Sequence, residues 1–447
     1  MTTANTRSVV VVGAGAAGIV AAGFAARAGA KVQLLERTKD GGRKILISGG
    51  GRCNILPSVV DPAQFVTQSS PNIVKQILRS WPLAEQRAFF EEELGIPLKL
   101  EEESGKLFPV SDKARDVRDG LLDWARKEGA EITFEVKVIG VRSAGEGWEV
   151  VTDLGVIKAS RVIIATGGLS VPNTGSDGIG LRILELLGHT INPTYPALAP
   201  ITLVPHRYAH LAGISLPVTI RAEGRPSSGA RKGFRTSGGF LVTHRGWSGP
   251  AALNVSHLTR SPSPAREKGP GGEVGDGADL TPQLLLQNNL TPQPPLPYGR
   301  GGADLFVSWG TLTRAEWERE LTGGTKLAAN VLKQHLPERL AETLFAESGV
   351  PADRTVAQLR KEERTKLLDT LTSWPLPYTG DEGYKKAEVT GGGVALGEIV
   401  PQTMESRVRP GLYICGEALD LFGPIGGYNF HWAWATGKLA GTAAGNP

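Results

Sequence analysis

The segment from Val9 to Glu36, VVVVGAGAAGIVAAGFAARAGAKVQLLE, confines this chain more tightly than any other stretch of its 447 residues. A β-branched run at Ser8–Val12 meets a glycine, a small-residue helix spans Ala16–Ala28 and stops near Gly29, and Lys31–Leu35 returns as an apolar strand. Strand, helix and parallel strand make a βαβ unit. Each glycine of its turn has its own use: Gly13 permits the tight turn, Gly15 lets backbone approach a pyrophosphate, and Gly18 lets helix and strand pack closely. The helix N-terminus, through Ala16 and Ala17, then offers unpaired N–H groups and a partial positive charge to phosphates. Glu36, at the end of the second strand, sits where a carboxylate takes both ribose hydroxyls of an adenosine, and Arg37 beside it is counted in the same site. An acid here disfavours a 2′-phosphate, so FAD or NAD fits better than NADP.

A rival reading of this stretch fails. Val9–Ala26 carries no charge and is long enough for a signal or membrane helix. Gly13, Gly15, Gly18 and Gly23 interrupt it, however, and no basic n-region exists beyond Arg7. A buried strand and helix is the reading, with no membrane partner. Charged residues at 21% and a net charge of +4 are ordinary for a globular chain and permit an anionic ligand without demanding one. The two cysteines, Cys53 and Cys415, have no metal-ligand spacing around them, so neither a disulfide framework nor a metal site is expected and a reducing cytoplasm fits best.

Along the chain, a helical stretch is predicted over Asn72–Gly95, broken by Pro82. Strand patterns follow at Glu131–Val141 and Trp148–Thr152, and at Val162–Ala165, which runs into Thr166-Gly167-Gly168. From Ile191 to Ser256 short β-like pieces, such as Leu216–Ala222 and Gly239–Thr243, alternate with Pro, Gly and Ser. Between Arg260 and Gly302 periodicity is lost in a Pro/Gly-rich stretch read as a flexible insert. Helical signals occupy Thr313–Leu371, and the glycine-rich α/β style then returns. The expected domains are 1–190 with 386–447 as a discontinuous dinucleotide-binding domain, 191–312 as a mainly β domain carrying the insert at 260–302, and 313–385 as a helical subdomain.

Two further motifs extend the site. In Gly41–Asn54, GGRKILISGGGRCN, the glycines Gly49, Gly50 and Gly51 with Arg52 and Asn54 form a bare backbone surface able to lie on a planar ring or a phosphate, while Arg43 or Lys44 offsets pyrophosphate charge. Cys53 within it reads as a small buried thiol rather than a redox centre. Near the other end, GLYICGEALD is an apolar strand ending in Gly416-Glu417, which places a carboxylate by the ribityl hydroxyls of a flavin. Gly426-Gly427-Tyr428-Asn429 then opens a helix through Trp432 and Trp434, read as core, whose N-terminus faces the flavin pyrimidine.

Taken together, GRKILISGGGRCN, AEVTGGGV, TMES and GLYICGEALDLFGPIGGYNF resemble the BaiN/YhiN-like flavoproteins, NAD(P)/FAD-dependent oxidoreductases of the aminoacetone-oxidase type, over nearly all the chain except the 260–302 insert. The resemblance implies an α/β fold: a glutathione-reductase-like Rossmann FAD domain with an inserted mainly β domain and a small helical subdomain. It implies FAD contacts at Gly13, Gly15, Ala16, Ala17, Glu36, Lys44, the Gly49–Asn54 loop, Val138 by its backbone, Thr166, Gly167, Gly416, Glu417, Gly427, Tyr428 and Asn429. His431 departs from the family's pattern, which often has Gln after the GGYN turn.

The functional expectation is an FAD-dependent oxidoreductase moving two electrons between a transiently bound NADH or NADPH, or oxygen, and a small organic substrate. GSDGIG at Gly175–Gly180 does not make a second nucleotide motif. Catalytic residues are unassigned, with Tyr428 and His431 as candidates. A nucleic-acid partner is not the expectation. Two rivals are a tRNA-modifying flavoprotein, which shares the FAD fold and suits a mildly basic chain, and a flavin-binding protein without turnover.

Overall fold

Residues 7–224, 233–260 and 302–446 are described in the computed structural model. They divide into one unit of residues 7–196 and 388–446 and another of residues 197–260 and 302–387. Apart from its two end residues, the Pro/Gly-rich insert lies outside the described residues.

The first unit is built on β1 (Ser8–Val12), α1 (Ala16–Arg27), β2 (Lys31–Leu35), α2 (Arg43–Ile47), α3 (Ala114–Lys127), β3 (Glu131–Thr133), β4 (Arg161–Ile164), β5 (Leu412–Ile414) and α4 (Tyr428–Gly445). The strands form one sheet in the order β5-β4-β1-β2-β3, every neighbour pair parallel. Central β1 is covered on both faces, which is why Val9–Val12 is an unbroken β-branched run rather than an alternating one. Glycines in a helix interior cost roughly 1 kcal/mol each, and packing explains those of α1. A Cβ on Gly18 would stand 1.9 Å from the Gly13 carbonyl oxygen, and one on Gly23 would stand 2.2 Å from the Trp124 ring of α3. The last helix uses the same device: Cβ atoms on Gly437, Gly441 and Gly445 would lie 2.5, 2.2 and 2.5 Å from the carbonyl oxygens of Ala17, Ala21 and Ala25. Two stripes of small residues thus bring α4 directly onto α1.

Two predicted elements are divided. The stretch over Asn72–Gly95 forms helices Pro71–Arg79 and Leu83–Ala88 and a π turn Phe89–Glu93, because Pro82 has no N–H to continue a helix. The strand predicted over Glu131–Val141 ends at Thr133, Glu135 takes left-handed backbone (φ +59°), and Val138–Ala144 joins a separate antiparallel sheet with Gly147–Thr152 and Gly155–Ala159.

The second unit holds a seven-stranded antiparallel sheet in the order Trp374–Pro375, Asp304–Trp309, Ser215–Glu223, Phe234–Val242, Gly246–Ser248, Ile201–Thr202, Gly380–Asp381. Leu216, Val218 and Ile220 alternate onto its inner face. Helices Arg314–Glu320, Ala328–His335, Glu338–Ser348 and Lys361–Thr372 contribute Trp317, Leu332, Leu344 and Leu371 to the same buried cluster as Trp247 and Trp309. Strands and helices here share one core.

Candidate functional site

At the C-terminal ends of β1, β2 and β4, where doubly wound sheets hold their ligands, the first unit encloses a cavity of about 560 Å³. Gly13, Gly15, Ala16 and Ala17 line it at the start of α1, and Gly427 and Asn429 line it at the start of α4. Neither helix has a side-chain N-cap. Free N–H groups from two helix termini therefore serve one space, an arrangement suited to anionic and electron-rich groups.

Glu36 closes one end. Its carboxylate, nearly buried, accepts hydrogen bonds from Ala14 N, Thr38 N and Thr38 Oγ1, each at 2.8 Å. Val136 and Val138, brought in by the turn at Glu135, line the wall beside it together with Lys137. Arg37 is ion-paired with Asp177, so Gly175, Ser176 and Asp177 of the GSDGIG segment belong to this cavity rather than to a second one. Arg43 also lines it and donates to Asp40 Oδ1 at 2.7 Å.

The two chain termini meet at Lys44 and Glu417. Lys44 Nζ donates to Glu417 Oε2 at 2.7 Å and to Ser170 Oγ at 2.6 Å, and Ser170 Oγ donates to Glu417 Oε1 at 2.8 Å. Thr390 N donates to the same Glu417 oxygen at 3.0 Å. Both cation and carboxylate are therefore held, about four-fifths to three-quarters buried, at the join between N-terminal and C-terminal motifs. Asn54 makes a second join: in the amide orientation that satisfies both ends it donates to Leu56 O at 3.2 Å and accepts from Gly427 N at 3.0 Å. Gly49 (φ +55°), Gly50 (φ +68°) and Gly51 (φ +87°) are all left-handed, a run only glycine adopts readily. Gly49 and Gly50 present bare backbone to the cavity, with Arg52 stacked 4.0 Å over the Phe108 ring alongside. Thr166 and Gly167 complete the wall with Gly416, and Thr166 Oγ1 is buried with no partner among the described residues.

Five residues expected at the site do not line it. Gly18 lies under the Gly13 carbonyl and serves helix–strand packing. Gly51 is exposed at the end of the loop. Cys53 is fully buried, and desolvation pushes its thiol up to about 12, leaving an inert packing group. Tyr428 donates its hydroxyl to Val59 O at 3.1 Å and sits edge-on to Phe65. His431 is buried away from the cavity; burial pushes its imidazolium down to about 4, so it holds no acidic proton at neutral pH. Sequence reasoning missed Lys106, Phe108, Ser170 and Glu388. Of these only Glu388 lies in a motif singled out beforehand, AEVTGGGV, and nothing in that motif marked its side chain.

The nearly buried Glu36 carboxylate, the uncapped start of α1 and the glycine-lined wall fit FAD, and the class that fold and site define is a Rossmann-type FAD domain. Residues 7–443 match the HI0933-like protein Rossmann domain, and the chain belongs to this family of FAD-binding oxidoreductases, in line with the BaiN/YhiN-like resemblance. It is 34% identical over 432 residues to the ribosomal RNA dihydrouridine synthase of Escherichia coli (strain K12), covering 96% of this chain and 95% of that one. To the ribosomal RNA dihydrouridine synthase of Haemophilus influenzae (strain ATCC 51907 / DSM 11121 / KW20 / Rd) it is 32% identical, covering 96% of each. To the 3-dehydro-bile acid delta(4,6)-reductase of Clostridium scindens (strain ATCC 35704 / DSM 5676 / VPI 13733 / 19) it is 31% identical, covering 97% and 98%. No described helix is long and apolar enough to cross a membrane.

Proposed function

We propose that this protein uses FAD to reduce a carbon–carbon double bond conjugated to a carbonyl in an organic substrate, with NADH or NADPH as a transient electron donor. The observation that carries the reading is the single cavity served by the uncapped starts of α1 and α4, with Glu36 at one end and the Lys44–Glu417 pair on its wall. FAD, when bound, supplies the ring nitrogen that exchanges hydride. The chain's residues bind and orient: Glu36 by the adenosine ribose, the α1 N–H groups by the phosphates, Glu417 by the ribityl chain. The bond type comes from the relatives. A dihydrouridine synthase and a delta(4,6)-reductase of a 3-dehydro acid, as those proteins are named, both saturate a double bond in conjugation with a carbonyl. Two buried free cysteines suit a cytoplasmic protein.

Purified protein should be yellow, and its visible flavin absorbance should bleach under anaerobic NADH or NADPH and return when a conjugated enone is added. Bleaching by neither nucleotide would sink the donor assignment, and a colourless protein that takes up no FAD would sink the whole reading. A second reading shares the chemistry and changes the carrier: the two relatives named as ribosomal RNA dihydrouridine synthases favour a uracil ring within RNA as acceptor. Nucleoside analysis of uridine-containing RNA incubated with the reduced protein decides it, since only that reading yields dihydrouridine.

A further inference from the structure

The charged side chains on the cavity wall fall into two groups. Glu36 accepts from Ala14 and Thr38, Arg37 pairs with Asp177, Arg43 with Asp40, Lys44 with Glu417, and Arg52 with Glu101 at 3.0 Å. That leaves Lys106, Lys137 and Glu388, whose side chains make no hydrogen bond or ion pair among the described residues. Lys137 lies with Val136 and Val138 at the Glu36 end. Lys106 and Glu388 are elsewhere, beside Gly426 and Val389.

Both are held by built structure. Lys106 starts the strand Lys106–Pro109, paired antiparallel to Leu98–Glu101, and its stem runs past Gly426, with Cε 3.8 Å from where a Cβ there would stand. Glu388 is fixed by the strand it precedes: two residues on, Thr390 N donates to Glu417 and Thr390 Oγ1 accepts from Leu169 N at 2.7 Å. The Glu388 side chain is exposed on the cavity side, and partial desolvation there moves its carboxyl upward from the ordinary value, against the opposing pull of the Lys106 charge. Lys106 and Glu388 thus line one cavity within electrostatic reach of each other, and neither side chain is paired among the described residues.

We propose that Lys106 and Glu388 are the substrate-activating pair of this site, Lys106 holding the carbonyl oxygen of a conjugated enone or enamide and Glu388 delivering the proton to its α carbon. The assignment rests on the double-bond reduction argued above. Hydride from the reduced cofactor adds to the β carbon, breaking the C=C π bond and sending its electron pair toward the carbonyl oxygen. Lys106 stabilises that developing oxyanion. The Glu388 carboxyl then gives its proton to the α carbon, the C=O re-forms, and the carboxylate regains a proton from water. Two electrons and two hydrogens are accounted for, one as hydride and one as proton.

The test uses full-length FAD-loaded protein and the variants Glu388→Gln and Lys106→Met. Flavin content and anaerobic bleaching by the better nicotinamide are measured first, and every later rate is taken per reduced flavin. Reoxidation of the reduced protein is then followed with 2-cyclohexen-1-one, a steroid 4-en-3-one and a uridine-containing oligoribonucleotide. For whichever acceptor the wild type uses, Glu388→Gln should be slowed on the order of 100-fold or more, while reoxidation by dioxygen, which needs no carbon protonation, is unchanged. Equilibrium binding of 4-hydroxybenzaldehyde, a phenolate mimic of the oxyanion read by perturbation of the flavin spectrum, should weaken about tenfold or more in Lys106→Met. A Glu388→Gln protein reoxidised at the wild-type rate, or a Lys106→Met protein with unchanged phenolate affinity, overturns the assignment and leaves the function standing. A wild type that bleaches normally and passes electrons to none of the three acceptors overturns the function and this assignment with it.

Discussion

At the scale of single residues the site separates groups that face the cavity from groups that merely neighbour it in sequence. Tyr428 and His431 are three apart on α4 and so share one helical face, and neither lines the cavity. Asn429, Trp432 and Ala433 carry the cavity-facing side. The sequence contained the helix and its start but not its rotation, which is set by the contacts of α4 with the rest of the unit. His431 has a measurable consequence all the same. Its folded-state pKa of about 4 lies below the unfolded value of 6.5, so between these values the unfolded chain binds the extra proton. Stability from this group is complete above pH 6.5 and is lost as pH falls toward 4, with a slope of at most about 1.4 kcal/mol per pH unit. Denaturant titrations of His431→Gln at pH 7 and pH 5 should show a smaller loss than wild type. An equal loss would place the acid sensitivity elsewhere, for instance at His257, whose buried ring is also pushed down to about 4.

Among the elements, α1 and α4 owe their close approach to alanine carbonyls facing glycines with no side chain rather than to large apolar residues. Gly441→Val should be the damaging change, because its Cβ would meet the Ala21 carbonyl oxygen at 2.2 Å and backbone cannot move aside cheaply. A loss of at least about 2 kcal/mol, or failure to fold, is expected. Gly441→Ser should lie between, and a normal unfolding midpoint for Gly441→Val would refute the packing account. The βαβ start was readable because its meaning is local: β1, the turn glycines and Glu36 lie within one short segment whose spacing carries the geometry. The strand Lys106–Pro109 was not readable. It is four residues long, carries no signature, and reaches the cavity only through tertiary pairing with Leu98–Glu101 and Leu56–Pro57. Glu388 was hidden for the same reason, since a lone acid before a glycine-rich strand has no local meaning until the other wall is in place.

Considered as a whole molecule, the described residues form two buried clusters, and of these the first surrounds the cavity. A ligand that binds the folded form alone stabilises what it touches, by about 2.7 kcal/mol at a free concentration one hundred times Kd. Calorimetry with and without excess FAD should therefore raise the transition of the unit formed by residues 7–196 and 388–446, on the order of 5–10 °C. The unit with its own tryptophan-rich core should respond far less, and an equal rise in both would mean that they unfold as one.

Lys44 and Glu417 stand 373 positions apart. During synthesis the lysine leaves the ribosome long before its acid partner exists, so the nascent Rossmann half waits with α1 uncovered and its cofactor floor unfinished until the last strand and helix emerge. A chain interrupted before Tyr428 is therefore expected to purify without flavin, which its visible absorbance would show.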